Sequence, residues 1–178
     1  MGFVGPQEAL TALDNIGHFV GLLSPDGTLL EANATALGAG GITRDDVVGR
    51  PFWEAHWWSY SHESQQRLRD AVDTARGGVA VRYDAEVMAG DGGRSLVTID
   101  FRLTPVRDAD GIVRFIVPEG APVAAAAPGG PNGSDDTSQR SWVALVAELT
   151  AARMQTDALR KLASSLAGSH SVDEVCAA

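Results

Sequence analysis

Three of the four tryptophans fall in one short run, Phe52-Trp53-Glu54-Ala55-His56-Trp57-Trp58, with a histidine among them. Each indole brings ~150–250 Å² of surface, so the run either packs a core or walls a space for an apolar or aromatic small molecule. His56 adds the chemistry of iron. Neutral imidazole is a good axial ligand for haem, and His56 has apolar neighbours. His62, just beyond the run, is the second candidate; His18 and His170 lie farther from the aromatic residues and have weaker claims.

Other reactive chemistry is scarce. The single cysteine, Cys176, excludes an internal disulfide framework and a cysteine-rich zinc site. No Gly-rich phosphate loop follows a strand, and no His/Asp/Glu spacing suits a metal ion. Asp26, Asp91 and Asp110 adjoin turn glycines, where turn geometry accounts for them. Tyr60-Ser61-His62-Glu63 superficially resembles the phosphoacceptor box of histidine kinases, but that box continues into a proline-containing turn and here Ser64-Gln65-Gln66-Arg67 follows. Ser61 as a helix N-cap, with Glu63 favourable in the first turn, accounts for these residues better. The chain is read as non-enzymatic.

A length of 178 residues suits one packed domain plus an appendage. The chain is 44% apolar and 21% charged, and 14 Lys and Arg against 23 Asp and Glu leave a net charge of −9. Such a surface repels phosphate backbones and anionic headgroups, so neither nucleic acid nor membrane is an expected partner. No run approaches the ~18 apolar residues of a bilayer span, which reads as a cytoplasmic protein.

The elements that must position the aromatic run follow from turn residues and alternation. Ser24-Pro25-Asp26-Gly27 is a tight turn between strands at His18 to Leu23 and Thr28 to Ala32. Short helical pieces follow at 33–38, 44–48 and 52–58. A longer helix runs over 61–75, with Leu68, Ala71, Val72 and Ala75 on one face, and Gly77-Gly78 stops it. In the next strand Val79, Val81, Tyr83, Ala85 and Val87 alternate with polar residues; in the following one Val97, Ile99, Phe101 and Leu103 do the same, and Ile112 to Val117 forms the last. The reading is α+β, with a domain over 1–120 that includes a lead-in helix at Pro6 to Leu13. A flexible Pro/Gly/Ala/Ser linker covers 121–140, a long coiled-coil-like helix 141–168, and the start of a truncated further element 169–178.

That order, with its residues, resembles the PAS (Per-Arnt-Sim) sensor fold, a five-stranded antiparallel sheet with helices on one face. The stretch from Leu23 through Asn33 to Ala36, the Val47-Val48-Gly49-Arg50 element and the Thr104-to-Val113 turn carry the likeness over His18 to Glu119. The resemblance implies a cavity between helices and sheet, where members of the family hold haem, flavin, small acids or lipids. Its walls would come from Trp53, His56, Trp57 and Trp58 on one side and Tyr83, Val97, Ile99, Phe101 and Phe115 on the other. No resident cofactor is the leading expectation; haem on His56 or His62 and non-covalent flavin are the alternatives. Flavin–cysteine and cysteine-linked chromophores have no cysteine between residues 1 and 175 to use.

The implied function is a sensory input module of a bacterial signalling protein, of the kind that serves two-component or phosphatase regulation. It would bind a small molecule or a partner and bias the C-terminal helix and an output domain; the alternative is a ligand-free homodimerisation module. One departure bears on transmission. Many members end the last strand in an Asp-Ile-Thr-type element, whereas Val117-Pro118-Glu119-Gly120 here leads into the linker. The terminal helix and Val172-Asp173-Glu174-Val175 resemble the opening of a GAF domain.

Overall fold

The computed structural model describes residues 14, 15 and 17–123. The expected lead-in helix at 6–13, the linker beyond residue 123, the terminal helix and the truncated element lie outside the described residues.

The first turn forms as its residues dictate. Gly27 takes φ +87°, its N–H donates to Ser24 O at 2.9 Å, and the Asp26 carboxylate accepts from the Ser24 hydroxyl and from Thr28 N at 3.3 Å. Strands β1 (Phe19–Leu23) and β2 (Leu29–Ala32) are thereby paired antiparallel. Asn33 then starts α1 (Ala34–Gly40), its Oδ1 accepting from Ala36 N at 3.1 Å, and Gly41 ends it at φ +61°. Helix α2 (Arg44–Val47) opens on Thr43, whose N–H donates to the Asp46 carboxylate at 2.9 Å. The aromatic run forms two 3₁₀ turns, Phe52–Glu54 and His56–Trp58. Helix α3 (His62–Arg76) follows, capped by Ser61 Oγ and burying Leu68, Ala71, Val72 and Ala75 as their spacing predicts.

Strands β3 (Val81–Gly90), β4 (Ser95–Arg107) and β5 (Val113–Pro122) complete one antiparallel sheet of order β2-β1-β5-β4-β3. The last strand therefore lies in the middle, with Phe19 of β1 opposite Gly120 of β5 and Phe101 of β4 on its other side. The helices cover one face, and the main core joins them to Ala85, Val87, Ile99, Phe101, Leu103 and Ile116. A second cluster, Val20, Leu22 and Val117, buries apolar surface on the opposite face.

Three details differ from the sequence reading. Val79, expected in the alternation of β3, precedes the strand and is 60% exposed. The strand β5 passes the expected domain end at residue 120: Ala121 pairs with Asp100, Pro122 with Ile99, and Val123 N donates to Thr98 O at 2.9 Å. Their composition reads as linker, but β4 supplies a ladder long enough to hold them. The third concerns Phe115, which belongs to the second cluster beside Val106 and Leu30 and so does not face the aromatic run.

Candidate functional site

The aromatic residues form a connected layer against the sheet. Phe101 meets Trp58 at a centroid distance of 5.2 Å, Tyr83 at 5.5 Å and Phe52 at 6.4 Å; Phe52 also meets Trp58 edge-on at 5.7 Å. All but the tilted Phe52–Phe101 pair are edge-to-face, and such contacts add ~0.5–1.5 kcal/mol each beyond area burial. Trp57 is fixed by a hydrogen bond as well as by packing, its Nε1 donating to Ala36 O at 3.1 Å.

Within this layer lies an apolar cavity of about 40 Å³, lined by Phe52, Trp57 and Trp58 from the 3₁₀ turns, Ala36 from α1, Val87, Ile99 and Phe101 from the sheet, and Gly21 and Gly120 at its strand-side wall. That volume admits a water or two, against the ~300–1,000 Å³ of pockets that enclose a drug-sized molecule. Its walls are apolar, so a water there would lack partners. The glycines keep the strand side open: a Cβ at Gly120 would lie 2.7 Å from Ile99 Cδ1.

Of the residues expected at this site, Trp57, Trp58, Ile99 and Phe101 line the cavity and Trp53, His56, Tyr83 and Phe115 do not. Val97 is partly buried and packs on the core beside them. Trp53 turns toward the β1–β2 hairpin, where a Cβ at Gly27 would overlap its ring, and Arg69 lies over it at 4.8 Å. Two 3₁₀ turns with a break at Ala55 replace continuous helical periodicity, which sends Trp53 and Trp57 to different sides.

Neither histidine is presented to the cavity. His56 Nε2 lies 2.8 Å from Gly93 O, and a carbonyl can only accept, so this nitrogen carries the proton and its lone pair is unavailable to iron. His62 is exposed at the first position of α3. The contact of His56 is part of a close docking of the β3–β4 turn on α1. A Cβ at Gly93 would overlap Gly40 O, and one at Gly41 would overlap Gly92 O. Only glycine permits that approach.

Ionic groups sit at the periphery, apart from Glu119, which borders the cavity. Glu31, buried, pairs with Arg44, which also donates to Ala32 O at 3.1 Å. Glu119, also buried, lies 3.9 Å from His18 Nε2. Burial pushes the Tyr83 phenol up to about 12, opposed by the Arg67 guanidinium, which lies 4.1 Å from its ring centre. Among the described residues no group of three His, Cys, Asp or Glu side chains converges as a metal site. No helix among them is long and apolar enough to cross a membrane.

Comparison with known proteins agrees with this architecture. Residues 13–127 match the family model described as the PAS fold. The sensor histidine kinase TmoS of Ectopseudomonas mendocina is 40% identical over 114 residues, 64% of this chain and 12% of that protein. Hybrid signal transduction histidine kinase D of Dictyostelium discoideum is 40% identical over 114 residues, 64% of this chain and 7% of that protein. The matched segment is thus a small part of those multidomain sensor kinases. Among solved structures, the PAS domain of BvgS from Bordetella pertussis superimposes with a TM-score of 0.54 at 14% identity, covering 80% of this chain and 96% of that one. With the sheet order, the capping Asn33 and the helical layer all in place, the chain belongs to the PAS family, as a sensory domain homologous to those of sensor histidine kinases.

Proposed function

We propose that this domain is the cytoplasmic input module of a larger signalling protein, regulatory rather than catalytic, in which a small apolar or aromatic molecule enters the aromatic layer and biases the segment that follows β5. The observation that carries the reading is the cavity between Trp57 and Trp58 on one side and Ile99 and Phe101 on the other. At about 40 Å³ it is a nucleus that a ligand would enlarge by moving the indoles. A bound molecule transmits only if it favours one arrangement of that layer over another. The strand β5 is suited to report such a change, since Pro118 and Gly120 line the cavity and the chain continues from its end. The output domain belongs to the full-length protein, as the sensor kinase relatives imply.

A second reading, a ligand-free homodimerisation module, is favoured by the small size of the cavity. Haem is disfavoured by the engaged Nε2 of His56 and the exposed position of His62. Non-covalent flavin would need a space many times larger than the cavity. The absorption spectrum and native mass spectrum of the purified chain discriminate among these. An added mass supports a small-molecule sensor, a Soret or flavin band would revive the cofactor alternatives, and a mass of two bare chains would replace sensing by assembly.

A further inference from the structure

Buried groups close most of the apolar cavity. On the helical side Phe52 meets Trp57 at 6.1 Å and Trp58 at 5.7 Å, and Trp57 is hydrogen-bonded to Ala36 O. On the sheet side the wall is the ladder of β1, β5 and β4. Gly21 carries no side chain, but the place of a Cβ there is already taken, 3.1 Å from Pro118 Cγ and 3.6 Å from Leu29 Cδ1. Among the described residues that line the cavity, Phe19 alone presents a side chain that is not fully buried.

The backbone beneath that ring is held on both sides. His18 O accepts from Asn33 Nδ2 at 2.9 Å, Val20 N donates to Asn33 Oδ1 at 3.1 Å, and Phe19 itself pairs with Gly120 in the β1–β5 ladder. Moving it would leave buried polar groups unpaired. The ring has no polar atom to tie it down, and its neighbour on β5 is a glycine, so no side chain there crowds it; even a Cβ would lie 3.4 Å from Phe19 Cδ2. Rotation about the side-chain bonds is therefore the soft coordinate. A partly exposed side chain rotates in picoseconds to nanoseconds, far faster than strands open. Every other wall yields only by parting stacked rings, breaking the Trp57 bond or splitting the ladder.

We propose that Phe19 is the gate of the cavity: its ring swings aside to let an apolar molecule past while the sheet stays closed. The proposal rests on the sensory reading above and adds the route its ligand takes. The opening it uncovers is about as wide as one ring, so Phe19 also selects by size. Anything broader must disturb the strands as well.

The test uses xenon, an atomic probe that occupies dry apolar cavities. Methyl ¹³C spectra of the chain under xenon pressure report binding through Ile99 Cδ1 and the Val87 methyls, and saturation transfer between bound and free ¹²⁹Xe gives the exit rate. The lining methyls should shift saturably in the native chain, and Phe19→Ala should raise the exit rate about tenfold by lowering the barrier the ring imposes. Phe19→Leu, the milder variant should alanine not fold, should raise it less. Phe115→Ala, which truncates a half-buried phenylalanine on the opposite face, should leave it unchanged. An exit rate that neither Phe19 variant alters, or that Phe115→Ala raises equally, overturns the gate while the cavity and the sensory reading stand. Xenon bound only after Phe19 is truncated would make the ring a fixed plug and also overturn it. Lining methyls that stay still in every chain would sink the gate and the sensory reading together.

Discussion

The indole of Trp57 is suspended from the carbonyl of Ala36, with Nε1 donating across 3.1 Å and Gly40 of the same helix so close that a Cβ there would lie 2.5 Å from that nitrogen. Trp57 thus locks the second 3₁₀ turn to α1. Replacing it by Ala should destabilise the domain by ~3–5 kcal/mol, the range for truncating a buried aromatic, as read by urea unfolding. A Gly40→Ala variant, which forces the ring aside while adding helix propensity, should lose stability; a gain would show that the indole position is soft.

Asn33 is 1% exposed and holds three groups at once: Oδ1 accepts from Ala36 N and Val20 N, both at 3.1 Å, and Nδ2 donates to His18 O at 2.9 Å. Asn33→Ala strands two buried amides and should cost about 2–4 kcal/mol. The Asn33→Asp variant keeps the acceptor and loses the donor, so its unfolding midpoint should fall between alanine and the native residue.

Gly27 and Gly111 share a positive φ, +87° and +80°, but differ in surroundings. A Cβ at Gly27 meets the Trp53 ring and Val72, whereas Gly111 faces open space. Gly111→Ala should therefore cost only backbone strain, about 1–3 kcal/mol, and Gly27→Ala that strain plus overpacking of similar size. Equal midpoints for the two variants would mean that Trp53 yields freely.

Tyr83 should ionise late for a phenol. Its folded-state value, raised to about 12 by burial, exceeds the ordinary 10.0, so its neutral form is favoured by folding. The stability this contributes is complete below pH 10 and is lost as the pH rises from 10 toward 12. Ultraviolet titration should show a phenolate step toward pH 12 that Tyr83→Phe removes; its absence from the native chain would contradict the burial of this phenol.

Arg82 and Asp100 meet across β3 and β4 with a 2.8 Å Nε–Oδ1 bond, with Arg82 exposed and Asp100 half-buried. Arg82→Ala should change stability by less than ~1 kcal/mol, and the small effect should shrink further in high salt. A larger loss would give the pair a role in holding the edge strand that its exposure argues against.

The course of the chain was legible because local chemistry marks it. Pro25, Asp26 and Gly27 make the first turn, Asn33 and Ser61 are caps, and Gly77-Gly78 stops α3, each acting through neighbours a few residues away. The strict alternation of Tyr83, Ala85 and Val87 likewise assigns a face to β3, an edge strand of the sheet. Alternation fails for β5, where every residue from Ile116 to Gly120 is buried because the strand is central and both its faces are covered. That is why the sequence reading puts Phe115 on the cavity wall when it lies on the opposite face, and the shift of register between Val106 and Arg107, opposite it, obscures the parity further. The meeting of Trp58, Arg67 and Tyr83 was invisible for another reason: they belong to three elements that only the packed fold brings together.

The pairing of Phe19 with Gly120 sets the point where the polypeptide comes into the domain beside the point where it goes out. A module with adjoining ends can be spliced into a longer protein without stretching what flanks it. Any loosening of those two central strands would reach the upstream and downstream neighbours together, as one event shared between them.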